Sequence, residues 1–328
     1  MEHPAAPLYG ALDLGTNNCR LLLATPAPGG LKVVEAFSRV TRLGEGLAAS
    51  GILSEDAILR SLQALHLCAQ RLHRRDVRRI RAVTTEACRR AANGPAFLNR
   101  VRRETGLTLE IISAEDEARL ALAGCAALLA RSHPHALVFD IGGGSTELIN
   151  VRLGSDPAAD HIESFASLPV GVVTLAETAG SALYDARGYE ETVLDLTSRL
   201  RAFDHDGALG ARALAGQVHM LGTSGTVTTL AGVHLDLARY DRSQVDGLVL
   251  GFDDITAVSQ RLMAATAEER AAIPCVGEGR ADLVVAGCAI LDAMCRMWPA
   301  GRLTVADRGV REGVLLSMMQ ADRQADQG

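Results

Sequence analysis

Lysine is all but missing from this chain: of 33 basic residues, only Lys32 is not an arginine. That excludes a GxxxxGK[ST] nucleotide loop and makes Schiff-base chemistry on lysine a poor fit. Anion binding has to rest on arginine, backbone N–H groups or a metal. Aromatic residues are 3% of the chain, so the core must be built from Ala, Leu and Val. The seven cysteines contain no CxxC pair. Cys125 and Cys288, set among Ala, Leu and Val, read as small buried hydrophobes in a reducing compartment. The nine histidines contain no HExxH, and His133 and His135, flanking Pro134, are not read as zinc ligands. No leader of basic then apolar residues opens the chain, and no apolar run is long enough to span a bilayer, so no signal peptide or membrane partner is expected and a cytoplasmic location is predicted. With a net charge of −6, nucleic acid is not expected as a partner either. The local run "RLHRRDVRRIR" at 71–81 reads as a solvated helix face leading into a strand.

What is present is a soluble globular composition, 48% hydrophobic and 22% charged over 328 residues, enough for two domains. Residues 9–25 read as strand, tight turn, strand, and "GLKVVEAFSRVTRL" as a third strand. From Ser54, a candidate N-cap, apolar residues fall at helical spacing. Strand, broken helix, strand and a long helix at 114–129 follow. The opening pattern then recurs: "ALVFDIGGGSTELINVRL" is again strand, glycine turn, strand. A further strand, a small-residue loop and helix at "LGTSGTVTTLAG", a long helix, a strand and a last helix complete the chain. The tail "ADRQADQG" reads as disordered. "LDLGTNN" and "FDIGGGS" share apolar-Asp-apolar-Gly, with Asp13 and Asp140 in matching places. The repeat predicts two similar α/β lobes with a cleft between them.

A dinucleotide fingerprint needs a helix directly after its glycines. Here "TELINVRL" and "CRLLLA" follow, both reading as strand, so these are hairpin turns. Gly142, Gly143 and Gly144 remove side chains and permit positive φ, so that backbone N–H groups converge on one oxyanion, with Ser145 and Thr146 adding hydroxyls. A phosphate chain is the natural occupant. An aspartate beside bound phosphate is repulsive unless a cation intervenes, which points to Mg²⁺, or Mn²⁺ in its place. Asp140 is the first choice of ligand, with Glu147 and Asp13 acting directly or through water.

These residues resemble the actin, Hsp70 and sugar-kinase superfamily, and within it the exopolyphosphatase and guanosine pentaphosphate phosphohydrolase branch, Ppx/GppA. The resemblance is carried by "ALDLGTNNCRLLLA", "RLGEGL" at 42–47, "TEACRRAANG" at 85–94, "IISAEDEARL" at 111–120, "FDIGGGSTELI", "LGTSGTVTTLAG" at 221–232 and "VREGVL" at 310–315, all in family order. It implies two ribonuclease-H-like lobes of actin type: 1–122, 123–304, a C-terminal helix at 305–322 packing back on the first lobe, and a disordered tail at 323–328. It implies Glu117 as catalytic base. Read from the residues alone, Glu115, Asp116 and Glu117 favour a helix dipole and Arg119 pairs with Glu115. The resemblance also implies phosphate binding by Gly15, Thr16, Asn17, Asn18, Arg89, Gly142, Gly143, Gly144, Ser145 and Thr146, and a role for the Gly222, Thr223, Ser224, Gly225 loop in the same cleft. Arg20 is a further counter-charge, unless strand alternation turns it outward. Many members carry serine where Asn18 or Cys19 stands. Longer members add a C-terminal helical domain, so this chain is like the short two-domain form. The implied substrate is inorganic polyphosphate or pppGpp, hydrolysed at its terminal phosphoanhydride. The competing readings are an ATP-using kinase or ATPase and a non-catalytic polyphosphate or alarmone sensor. Oligomeric state is left open, with a homodimer allowed.

Overall fold

A computed structural model describes residues 6–326. The chain divides into two compact units, 1–124 with 309–328, and 125–308. In the first unit the strands are β1 (Leu8–Leu14), β2 (Asn18–Ala27), β3 (Gly30–Val40), β4 (Val77–Thr84) and β5 (Leu109–Ile111), in sheet order β3-β2-β1-β4-β5. The hairpin pairs are antiparallel, and β4 and β5 join in parallel. Period-two alternation gives this sheet two buried faces. Leu12, Leu14, Leu21 and Leu23 pack with Ile58, Leu62, Leu65 and Cys68 of the helix Glu55–His73. Ser54 starts that helix, accepting from the Ala57 N–H at 3.3 Å, and Glu55 and Asp56 favour its dipole.

Tyr9, Ala11, Leu22 and Ala24, on the other face, pack with Val314, Leu315, Met318 and Met319 of the last helix, Val310–Ala325. This helix continues through most of the segment expected to be a disordered tail. Asp322 explains why: its carboxylate accepts from Tyr9 Oη at 2.9 Å and from Arg79 Nη1 at 2.5 Å, tying the polar end to the sheet. Gln327 and Gly328 of that expected tail lie outside the described residues.

The second unit repeats the arrangement. Its strands are β6 (His135–Ile141), β7 (Thr146–Arg152), β8 (His161–Leu168), β9 (Val218–Thr223), β10 (Val249–Gly251) and β11 (Arg302–Ala306), in order β10-β11-β9-β6-β7-β8. Reading β8-β7-β6-β9-β11 against β3-β2-β1-β4-β5 matches the two sheets strand for strand, with β10 as an added edge. The predicted repeat is therefore a repeat of topology. Leu137, Phe139 and Leu148 of this sheet pack against helices Ser224–His234, Ala186–Leu200, Phe252–Ala264 and Val284–Met297. Trp298, fully buried, closes one end of this core and donates from Nε1 to Asp204 at 3.1 Å. Among the described residues no helix is long and apolar enough to cross a membrane.

Candidate active site

Asp13 and Asp140 occupy the same place, next to last in β1 and β6. Two residues on, a glycine turns the chain: the Gly15 N–H donates to Asn18 O and the Gly142 N–H to Ser145 O, both at 2.9 Å. Identical turns give identical register, which sets Arg20 opposite Asp13 and Glu147 opposite Asp140. Directly opposed residues share a sheet face, so Arg20 lies beside Asp13. In the second unit the row widens. Ser167 on β8 stands opposite Glu147 and donates to its Oε1 at 2.8 Å, and Thr223 on β9 stands beside Asp140.

Each turn is strapped from one side. In the first, the Gly44 N–H donates to Thr16 O at 2.9 Å, and the Thr41 and Arg42 N–H groups donate to Asn17 O at 2.9 and 3.1 Å. In the second, Val172 N–H donates to Gly142 O at 3.0 Å and Val173 N–H to Gly143 O at 2.8 Å. A trans peptide points its N–H opposite its C=O, and no peptide here is cis. The N–H groups of Asn17 and Asn18, and of Gly143 and Gly144, therefore point away from the straps. This common direction is one that can receive an anion. Gly142 does not adopt a left-handed φ. Its lack of a side chain serves close approach instead, since a Cβ would sit 3.0 Å from Ser145 O. The straps need glycine too: a Cβ on Gly44 would overlap Thr16, and one on Gly171 would meet Gly142 O at 2.6 Å.

The remaining expected residues are distributed as follows. Ser145 and Thr146 are buried, and the Thr146 hydroxyl donates to Val170 O at 2.7 Å. Asn17 Oδ1 and Asn18 Oδ1 are buried without a hydrogen-bond partner, and as acceptors they suit a donor or a cation rather than a phosphate oxygen. Gly222 lies within β9, where a Cβ would come within 2.6 Å of the Phe139 ring. No loop follows: Thr223 ends the strand and Ser224, at φ 81°, starts the helix Ser224–His234, Gly225 being its second residue. A left-handed serine at this junction is strained, and such strain concentrates at functional sites.

Glu117 sits in the first turn of the helix Ala114–Cys125, after Ser113, whose Oγ accepts from the Asp116 N–H at 3.0 Å. Arg89 reaches it, with Nη1 3.4 Å from Glu117 Oε2, while Nη2 donates to Glu86 Oε2 at 2.7 Å and Nη1 to Ile112 O at 2.8 Å. Burial opposes the Arg89 charge, but the carboxylates of Glu86 and Glu117 outweigh it and hold its pKa above the ordinary value. Glu86 was not singled out from sequence, although its place three residues before Arg89 on a helix was a visible signal. Arg90 is more exposed, with its Nε 3.7 Å from the same Glu86 carboxylate. Glu115 and Arg119 form an exposed pair at 2.6 Å.

Electrostatics separates the two aspartates. Burial raises the Asp13 carboxyl above its usual range; Arg20 and Arg311 pull it back, and Glu312 adds to the rise. Asp140 has a second carboxylate opposite it, and opposed like charges favour a cation. Asp140 and Glu147 are hard oxygen donors of the kind Mg²⁺ takes. Among the described residues no group of three or more His, Cys, Asp or Glu converges on one point. Two carboxylates suit Mg²⁺, which keeps waters and accepts phosphate oxygens, better than an all-protein cage. Asp13, the other expected ligand, has Arg20 rather than a second carboxylate opposite it.

Comparison with known proteins agrees with this architecture. The model of the Ppx/GppA phosphatase family matches residues 23–322. Exopolyphosphatase 2 of Mycobacterium tuberculosis is 30% identical over 321 residues, 94% of this chain and 97% of that one. A guanosine-5'-triphosphate,3'-diphosphate pyrophosphatase of Photobacterium profundum is 28% identical over 99% of this chain, which spans 62% of that longer protein. Among solved structures, the Aquifex aeolicus Ppx/GppA family member superposes with a TM-score of 0.77 at 30% identity, covering 96% of this chain and 98% of the other. An exopolyphosphatase-like protein superposes at 0.84 with 26% identity, over 95% and 98% of the two chains. Two sheets of one topology, two matching turns and a family model spanning nearly the whole sequence lead to one conclusion: the chain belongs to the Ppx/GppA phosphatase family.

Proposed function

We propose that the protein is an exopolyphosphatase, releasing orthophosphate from the end of inorganic polyphosphate, with conversion of pppGpp to ppGpp as the second activity of the same chemistry. The observation that carries this reading is the Asp140–Glu147 acid pair beside a turn whose N–H groups point away from their strap. Relatives named for each of the two substrates support the pairing of activities.

The groups carried by each unit, taken by itself, are these. In the second, the N–H groups of Gly143 and Gly144 bind phosphate oxygens. Asp140 and Glu147 hold a divalent cation, Mg²⁺ or Mn²⁺, which when bound neutralises charge on the phosphate chain. In the first, Asn17 and Asn18 bind through their N–H groups, and Arg20, anchored by Asp13, and Arg89 supply fixed positive charge. Glu117 Oε accepts the proton of the attacking water, and the phosphorus–oxygen bond to the leaving chain breaks in line. Such catalysis is mainly positioning and electrostatics.

The test is phosphate release from long polyphosphate, from pppGpp and from ATP, each with Mg²⁺ and with chelator, for the wild type and Glu117→Gln. The expected result is metal-dependent release from the first two. Glu117→Gln should lose about 10²–10⁴-fold in turnover while retaining polyphosphate binding. Undiminished turnover in that variant would remove Glu117 from the mechanism. Release from ATP alone would favour the kinase or ATPase reading, and binding without release from any substrate the sensor.

A further inference from the structure

On the second unit, three helices line a cavity of about 460 Å³, open to solvent along Glu190, Thr256 and Gln260, that shares no residue with the candidate active site. The helices are Ala186–Leu200, Phe252–Ala264 and Val284–Met297. The volume lies in the range of small-molecule sites, where an apolar lining with a few inward polar groups is the rule.

Phe252, Ile255, Met263 and Cys295 supply the apolar lining. Two hydroxyls that also line the cavity, Tyr189 Oη and Ser259 Oγ, belong to residues only 7% exposed and have no hydrogen-bond partner of standard geometry. The Cys288 thiol lies beside Ser259, but a thiol is a weak partner. Leaving a buried hydroxyl unsatisfied costs free energy, so two on one cavity mark a place where a bound molecule gains by completing them. Burial pushes the Tyr189 phenol well above its ordinary value, so it remains an O–H donor.

The lining also sets the charge of the occupant. Arg296 donates to Glu190 Oε1 and Oε2 at 2.6 and 2.9 Å, and to Asp292 Oδ1 and Oδ2 at 3.1 and 3.0 Å. Two carboxylates against one guanidinium leave a net negative charge, and the arginine is already engaged by both. An anion is disfavoured. We propose that this cavity binds a small, uncharged or singly positive organic molecule with an apolar body and a hydrogen-bond acceptor for Tyr189. It is a second site, chemically unlike the polyanion site.

Nicotinamide and nicotinate, nearly equal in shape and different in charge, serve as probes, with binding followed by ligand-observed NMR on the full chain. Nicotinamide should bind in the millimolar range, and nicotinate about tenfold or more weaker. Tyr189→Phe keeps the ring and removes the donor. It should weaken nicotinamide about three- to tenfold, while thermal melting shows the fold retained. Equal binding of the two probes, undiminished nicotinamide binding by Tyr189→Phe, or binding of neither probe to the wild type would overturn the proposal. If Tyr189→Phe fails to fold, Ser259→Ala takes its place with the same expectations. The readout involves no phosphate release, so its failure leaves the proposed hydrolysis standing, and the reverse holds.

Discussion

The two hairpins differ in charge at the opposed pair that starts from the aspartate. Both place an aspartate next to last in the strand, both turn on a glycine two residues later, and both bring the seventh residue after the aspartate opposite it. In the first hairpin that residue is Arg20; in the second it is Glu147. The first row neutralises itself and presents a guanidinium. The second sets two carboxylates opposite each other, the pair proposed to hold a cation. One backbone device thus carries opposite charges beside its turn, and the turn geometry is common to both.

The most severe way to break this contrast is Glu147→Arg, which gives the second hairpin the charges of the first. Metal-dependent phosphate release should fall about 10²–10³-fold, the scale of losing a principal electrostatic contact, and added Mg²⁺ should not restore it. Full rescue by Mg²⁺ would show that Glu147 is dispensable to the metal.

A milder change sharpens the first hairpin. A carboxyl whose folded pKa lies above 3.8 keeps its proton in the folded state at a pH where the unfolded chain has lost it. Its contribution is therefore greatest below that value and declines as pH rises through the folded pKa. Asp13→Asn removes the decline. Its Tm relative to wild type should rise from acid to neutral pH, by about 2–4 °C for each kcal/mol relieved in a unit of this size. A difference that does not change with pH would mean that Arg20 and Arg311 offset burial fully. The smallest effect is expected from Arg119→Ala, two residues from Glu117. The Arg119–Glu115 pair is exposed, and turnover should stay within about twofold. A larger loss would move the active centre along that helix.

Much of this was legible in the sequence. The recurrence of apolar-Asp-apolar-Gly exposed the repeat, and the alternation after each glycine distinguished hairpins from a nucleotide-binding βα turn. Glu117 came from the family resemblance, since acids in a first helical turn are commonplace. Three features were hidden for physical reasons. The Asp13–Arg20 pairing depends on register, which only the turn hydrogen bond fixes. The straps, 41–44 and 171–173, act through backbone atoms that no side-chain pattern reveals. The "GTSG" stretch was read as a loop because small residues usually mark one, whereas Gly222 is in a strand to make room for the Phe139 ring. The polar tail misled for a similar reason: Asp322 finds Tyr9 and Arg79 more than 240 positions away in the chain.

The last helix, Val310–Ala325, completes a core begun by β1 and β2. The ribosome makes the whole second unit in between. At about 5–20 residues per second, roughly 10–40 s pass between the emergence of residue 124 and that of residue 309. Throughout that interval Tyr9, Ala11, Leu22 and Ala24 have Ile112 and Ala121 beside them but lack Val314, Leu315, Met318 and Met319. The first part of the protein to be synthesised is thus the last to complete its core, with part of one sheet face open until the final helix arrives.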